Sequence, residues 1–388
     1  MPPVPIPAAE IEAMVTAYPA EPVVGSVGSH SALDICDGAV TEGFHTVVLA
    51  QAGRDATYAR YFRTVTGPDG GRWRGCVDEV WTYPKFQDLA APAEQKRMRD
   101  RGLLLVPNRA FSSYVPLTII EDSFRVPIVG SRSLLRIEER AERENYYTLL
   151  ERAEIPTPRR VASPEAIDGL AIVKLPHATK RLERGFFTVA SPEEYRRKSA
   201  QLVERGTITP EDLATARIEE YVLGPVFNFN FFFSPLVPRA DGLELLGVDE
   251  RRESSLDGLV RLPAEQQLAL GDAARAPEYT VVGHGTLTVR ESVLEEVFRL
   301  GEKFVDASRD RYPPGILGPF CLQTCLDADG RPVVFDVAAR IGGGTNVHLA
   351  LGHPYGNALW RTPMSSGRRI AIELRRAIAE HRLGEVVT

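Results

Sequence analysis

Lysine is nearly missing from this chain of 388 residues: Lys85, Lys96, Lys174, Lys180, Lys198 and Lys303 are all there are, and arginine supplies the rest of the positive charge. There is no cationic excess either, since the formal net charge is −6. That balance argues against nucleic acid as the main partner. Cysteine is scarce, at 4 residues, too few for a disulfide framework in so long a chain. Cys321 and Cys325 stand four apart without the spacing of a zinc knuckle, so all four read as reduced packing residues of a cytoplasmic protein. No apolar run approaches the roughly 20 residues that span a bilayer. The opening MPPVPIPAAEIEAM lacks the basic and apolar regions of a secretory signal. A GxGxxG turn is also absent, which counts against a dinucleotide-dependent dehydrogenase. What remains, 44% hydrophobic and 25% charged, is a folded protein with room for two or three domains.

Hydrophobic patterning predicts strands over residues 22–27 and 46–50 around a helix over 31–40, with further strands at 79–83 and 103–106 and a helix at 89–101. Such alternation implies an α/β, Rossmann-like parallel sheet whose binding crevice lies at the carboxyl ends of its strands. GSVGSHSAL begins where the first strand should end. Ser29 or Ser31 can cap the next helix, with Asp34 placed as in a capping box. Helix N-termini attract phosphates, so Ser29, His30 and Ser31 are substrate candidates; a plain cap with an exposed histidine is the alternative. A charged helix over 133–153 ends before Ile155-Pro156-Thr157-Pro158, where prolines mark a boundary. The chain thus divides into residues 1–130, 131–225 and 226–388. The middle unit reads as β-rich, with strands at 160–161, 170–176, 185–190 and 218–223 and a helix at 192–205. The last carries an aromatic run, Phe227–Phe233, and helices at 290–308 and 368–381.

Lys174 closes the apolar strand Leu170-Ala171-Ile172-Val173, where a lysine is costly unless an anion meets it. Lys180, Arg181 and Arg184 follow, so the cluster suits a triphosphate, or else is a solvated basic loop. In IEEYVLG, Glu219, Glu220, Tyr221 and Val222 form an extended segment able to offer backbone groups to an adenine edge, though many edge strands look alike. Asn228, just beyond, is grouped with these nucleotide contacts. VVFDVAARIGGGTNVHL delivers Asp336 at a strand end, then Arg340, then three glycines that let backbone approach phosphate oxygens. Thr345 and Asn346 at its end are further substrate candidates. Gln323 and Asp336 flank the turn Asp327-Ala328-Asp329-Gly330, and a hairpin of this length sets them opposite each other. Two oxygen ligands on paired strands suit Mg²⁺ bridging phosphates, with a structural cross-strand pair as the rival reading.

With these residues in view, the chain resembles the ATP-grasp ligases, and among them the formate-dependent synthetases of purine biosynthesis that formylate aminoimidazole-carboxamide ribotide. GSVGSHSAL, IEEYVLG, ESSLDGLVRLPAEQQL, PPGILGPFCLQT, FDVAARIGGGTN and GRRIAIELRRAI carry the resemblance over nearly the whole length. It implies an ATP-grasp fold behind the Rossmann-like domain, ATP with Mg²⁺ (or Mn²⁺), formate and an imidazole ribotide as substrates, and a homo-oligomer. Under it His30 matches a ribotide contact, Lys174 a lysine on the ATP phosphates, Glu219 to Val222 the adenine linker, and Gln323 with Asp336 the metal ligands. Ser255 falls at a polar substrate position. Arg340 is expected to orient the transferred phosphate.

Two of the departures from the family pattern fall on the substrate side. HATKRLERGFF replaces a glycine-rich loop and is the expected lid over 178–185. Ser255 stands where asparagine is expected, Asn108-Arg109-Ala110 where a histidine–glycine–serine turn is expected, and Ala338 where ATP-grasp enzymes carry asparagine. The expected reaction is ATP-dependent formylation through formyl phosphate. A ligase joining another acid to another amine, and a non-catalytic nucleotide binder, are the rivals.

Overall fold

The computed structural model describes residues 5–176, 185–271 and 280–388. Near the N-terminus, β1 (Val23–Val27), β2 (Thr46–Gln51), β5 (Glu79–Tyr83) and β6 (Leu103–Leu105) form a parallel sheet in the order β5-β2-β1-β6, while β3 (Val65–Thr66) and β4 (Arg72–Arg74) make a small hairpin. The expected Rossmann-like arrangement is present, with the helix Ala32–Thr41 connecting β1 to β2. Its core strands bury every residue of β1 and of β6, as strands covered on both faces must.

The anticipated capping box does not form. Ser31 is the N-cap but adopts a φ of 69° and makes no side-chain cap bond. Asp34 turns away and accepts the backbone N–H of Gly367 at 3.1 Å. The charged helix expected over 133–153 is also broken: a 3-10 segment, Arg132–Glu138, is followed by an open stretch and then the helix Tyr146–Arg152, capped by Asn145. Charge spacing alone looked helical there, but Glu138, which ends the 3-10 segment, and Glu139 and Arg140 in the break face a cavity instead.

The middle unit is a three-stranded antiparallel sheet, β7 (Ala171–Lys174) between β8 (Phe186–Val189) and β9 (Arg217–Glu220), backed by the helix Pro192–Glu204. The last unit is a five-stranded antiparallel sheet of β10 (Val226–Phe233), β11 (Leu243–Glu253), β12 (Val281–Thr286), β13 (Gly318–Leu326) and β14 (Pro332–Ala338), in the order β12-β11-β10-β13-β14. Alternation along β10 sends Phe229, Phe231 and Phe233 into the core with Phe320, Leu322 and Val334, beneath Val297, Leu300 and Phe304 of the long helix Glu291–Arg311. The opposite face of the same strands is polar and becomes a cleft floor. Tyr355 and Trp360 pack internally, the tyrosine hydroxyl donating to Val289 O (2.8 Å) and the indole to Glu244 Oε2 (2.8 Å).

The C-terminal helix Ser366–Ala379 lies on the helix Ala32–Thr41, and the chain end returns to the first sheet, where Thr388 and Ile128 exchange backbone bonds of 2.9 and 3.0 Å. The two helices touch at Gly38 and Gly367, where a Cβ on either residue would fall inside the other helix's backbone. Helix propensity alone would make Gly38→Ala about 1 kcal/mol more stable. Close approach predicts the reverse, a loss of about 1–3 kcal/mol in urea unfolding; a stabilised variant would contradict the packing.

Candidate active site

Register builds the site. Asp336 on β14 lies directly opposite Gln323 on β13, Gln323 opposite Asn228 on β10, and Asn228 opposite Asp249 on β11. Four polar side chains thus cross four strands in one row. Asn230 and Arg251 extend it by one step along their strands, and Arg251 faces His284 on β12. Above this floor lie two adjoining chambers.

The first, about 280 Å³, is lined by His30, Arg109, Glu138, Glu139, the polar floor and Arg340 with Gly342 and Gly343. The second, about 310 Å³, is lined by Lys174, Phe186, Glu219 to Val222, Glu250, Leu256, Cys325 and Phe335. Arg140, Arg251 and Asp336 border both. Sequence pattern had singled out Asp336 alone of these three.

Asp249 is the buried centre of the floor. Its two oxygens accept Asn228 Nδ2 (2.8 Å) and Asn230 Nδ2 (2.7 Å). Burial pushes its carboxyl up to about 6, with the two amides pulling the other way. His284, 4.0 Å away, is pushed down to about 4 by burial and then by Arg251 and His30. The glycine turn owes its composition to this cluster. A Cβ on Gly342 would strike Asn230 Oδ1, and one on Gly344 would strike Asp249 Oδ1. Close packing over polar side chains requires glycine at both positions.

Lys174 is 5% exposed, and the anion that meets it belongs to the protein. Its ammonium forms an ion pair with Glu219 Oε2 (2.6 Å) and donates to Tyr147 Oη (2.8 Å) and Phe335 O (3.1 Å). Burial lowers its pKa and Glu219 opposes that. Arg217 completes the pair by donating to Glu219 Oε1 at 2.5 Å and stacking 3.8 Å over Tyr147. Glu219 is therefore a buried counter-ion shared by Lys174 and Arg217. Glu220, on the other face of β9, accepts from Arg159 Nε at 3.2 Å, and Tyr221 N bonds Leu170 O at 2.9 Å.

Arg340 donates from Nη1 to Ile341 O (2.8 Å) and from Nη2 to Glu138 Oε2 (3.2 Å). Arg109 meets Glu138 (3.3 Å) and Glu139 (3.1 Å). Asn108, in the altered turn, caps its helix through Phe111 N (3.3 Å) and donates to Val27 O (2.7 Å) and His30 O (3.1 Å), bracing the His30 loop.

Not all expected residues converge. Asn228 lies in the first chamber, not with the nucleotide candidates, because its strand position faces Gln323 and Asp249. Ser31 gives its hydroxyl to Gly342 O and ties the first loop to the glycine turn, so it is a brace and not a ligand. Ser29 is half-buried, its carbonyl accepting Tyr58 Oη at 3.4 Å. Thr345 is fully buried, away from the chambers, and Asn346 Oδ1 accepts Asp34 N at 3.1 Å. Ser255 is exposed on its short helix, whereas Leu256 and Asp257 line the second chamber. Lys180 and Arg184 lie outside the described residues.

Gln323 and Asp336 carry donors of the kind a hard cation takes. Each supplies oxygen, on directly paired positions, and among the described residues no cluster of three or more His, Cys, Asp or Glu offers a closed cage. One carboxylate and one amide oxygen fit a hard cation that completes its shell with water and phosphate. Arg251 Nη2 donates to Gln323 Oε1 in this structure.

A three-stranded clamp facing an antiparallel sheet behind a parallel domain is the ATP-grasp fold. Biotin carboxylase from Campylobacter jejuni shares it, with a TM-score of 0.60 at 12% identity over 93% of this chain and 71% of that one. Family models described as a domain of unknown function (DUF1297) and a protein of unknown function (DUF1246) match residues 194–388 and 24–161. The chain belongs to the family of 5-formaminoimidazole-4-carboxamide-1-(beta)-D-ribofuranosyl 5'-monophosphate synthetases. The Methanopyrus kandleri protein of that name is 40% identical over 98% of this chain and 99% of its own length. A crystal structure of an IMP biosynthesis protein, PurP, from Thermococcus kodakaraensis is similar with a TM-score of 0.69, at 29% identity over 94% of this chain and 100% of that one.

Asp249 gives a pH test. Its native carboxyl holds a proton up to about 6, against an ordinary 3.8, so its contribution to stability falls as pH rises between those values. Asp249→Asn removes that slope. The urea unfolding free energy of wild type relative to the variant should decline between about pH 4 and 6; a pH-independent difference would contradict the assignment.

Proposed function

We propose that this chain is an ATP- and formate-dependent ligase that formylates the amine of aminoimidazole-carboxamide ribotide, giving ADP and phosphate. One observation carries the reading: two chambers of separate chemistry meet at Asp336, Arg140 and Arg251. Such a junction suits a reaction in which an acid is phosphorylated from one side and attacked by an amine from the other.

In this account the linker Glu220 to Val222 presents backbone to the adenine edge, with Phe186 and Ile172 as apolar walls. Lys174 neutralises phosphate charge, and the Glu219–Arg217–Tyr147 set holds its ammonium in place. Gln323 and Asp336 would hold Mg²⁺, which when bound offsets the negative charge of the nucleotide phosphates. Formate oxygen attacks the γ-phosphorus in line, leaving ADP and formyl phosphate. Catalysis there is chiefly positioning and charge neutralisation. The ribotide lies in the first chamber, near His30 and Arg109, and its amine attacks the formyl carbon. Phosphate leaves, the amine proton is lost, and a formamide remains. Arg340, fixed by Glu138, faces the same chamber and offsets charge on the departing phosphate. A homo-oligomer remains part of this reading. Among the described residues no helix is long and apolar enough to cross a membrane.

The direct test supplies purified protein with ATP, Mg²⁺, ¹³C-formate and the ribotide. A product heavier than the ribotide by one labelled formyl group, with ADP in equal amount, is expected. ADP formed with another acid or amine but never with this pair would favour the rival ligase. Lys174→Ala should lower ADP formation about a hundredfold or more with the fold intact by circular dichroism; near-normal turnover would remove Lys174 from the phosphate site.

A further inference from the structure

Arg251, with Arg140 and Asp336, stands where the two chambers join, a place where both substrates of a phosphoryl transfer to a small acid would meet. It projects from the cleft face of β11 opposite His284 and borders both chambers. One terminal nitrogen, Nη2, donates to Gln323 Oε1. The other, Nη1, is buried without a hydrogen-bond partner among the described residues. An unmatched buried N–H is costly, and a guanidinium presents its donors as a rigid fork. The position is therefore suited to an acceptor that the protein does not itself supply.

Arg340 and Arg109 already have carboxylates of the protein as partners, although Arg340 Nε is also buried without a hydrogen-bond partner among the described residues. Arg340 has both terminal nitrogens on Ile341 O and Glu138, and Arg109 meets Glu138 and Glu139. A one-carbon acid offers no handle except its two oxygens. The forked, charge-assisted geometry of guanidinium with carboxylate is the chemistry that would hold it.

The acceptor already on Arg251 sharpens the point. Gln323 Oε1 is also one of the two oxygens that fit the divalent cation, and a cation there would repel the guanidinium. We propose that Arg251 binds the carboxylate substrate and is released to it when metal–nucleotide takes over Gln323. This rests on the ligase reading above. It makes binding ordered: without nucleotide the arginine is held on Gln323, and with nucleotide its fork turns to the acid. Because linkage is reciprocal, formate must then tighten nucleotide binding.

Calorimetric titration of the full chain with Mg²⁺ and a non-hydrolysable ATP analogue, with and without saturating formate, tests this without turnover. In wild type, formate should tighten the nucleotide about fivefold or more. Arg251→Met should bind the magnesium–nucleotide at least as tightly as wild type, having lost the competitor for Gln323, while the formate effect disappears. Arg251→Lys, which keeps charge but not the fork, should retain only a remnant of it, and carries the test if the methionine variant does not fold. A formate effect undiminished in both variants overturns the proposal, as does its absence from wild type. Nucleotide affinity that falls tenfold with the formate effect preserved also overturns it, by assigning Arg251 to the phosphates. Failure of wild type to bind magnesium–nucleotide at all would instead remove the ligase reading itself.

Discussion

The register of the large antiparallel sheet is the constraint on which everything else rests. With Asp336, Gln323, Asn228 and Asp249 in one cross-strand row, the same strands turn Phe229, Phe231 and Leu322 to the core. A slip of one residue along β10 would drive phenylalanines into the cleft and bury asparagines under the long helix. Core formation and site formation are thus one event. The aromatic face provides the driving force, and the polar face is carried into place by the pleat. The glycine turn is locked to the same row, because only residues without Cβ fit above Asn230 and Asp249.

A second knot joins the units. Lys174 reaches from the small sheet to Glu219 beside it, to Tyr147 on the linking helix and to Phe335, next to the floor residue Asp336. Buried ion pairs contribute little net stability, since desolvation offsets attraction. Their value here is geometric: three elements agree on the position of one ammonium. The altered turn at Asn108 works in the same way on the opposite wall, bracing the His30 loop through its amide.

Much of this was legible beforehand because it depends on local periodicity. The parallel domain followed from strand–helix alternation, and the Gln323–Asp336 pair from a short turn between apolar runs. Lys174 was visible as a cation that ends a buried strand, although its partner proved to be Glu219. Glu138, Arg140, Asp249, Arg251 and His284 were missed, because they converge from elements far apart in sequence and each looks like an ordinary surface charge; Arg109 was noticed only as part of an altered turn. One signal was available and unused. Asn228 and Asn230 alternate with phenylalanines, so they must share the face opposite the core, as Asp249 and Arg251 do on the neighbouring strand. The 133–153 helix failed for the converse reason: its charges had the right spacing, but the chain leaves helical form after Glu138, and Glu138, Glu139 and Arg140 line the cleft.

The central claim is that the paired oxygens of Gln323 and Asp336 and the ammonium of Lys174 embrace one metal–nucleotide complex. Crystals grown with Mn²⁺ and a non-hydrolysable ATP analogue test it through the anomalous signal of manganese. The account predicts a peak within coordination distance of Gln323 Oε1 and the Asp336 carboxylate, with nucleotide phosphates between it and Lys174. A peak elsewhere, or a nucleotide whose phosphates avoid Lys174, would contradict it.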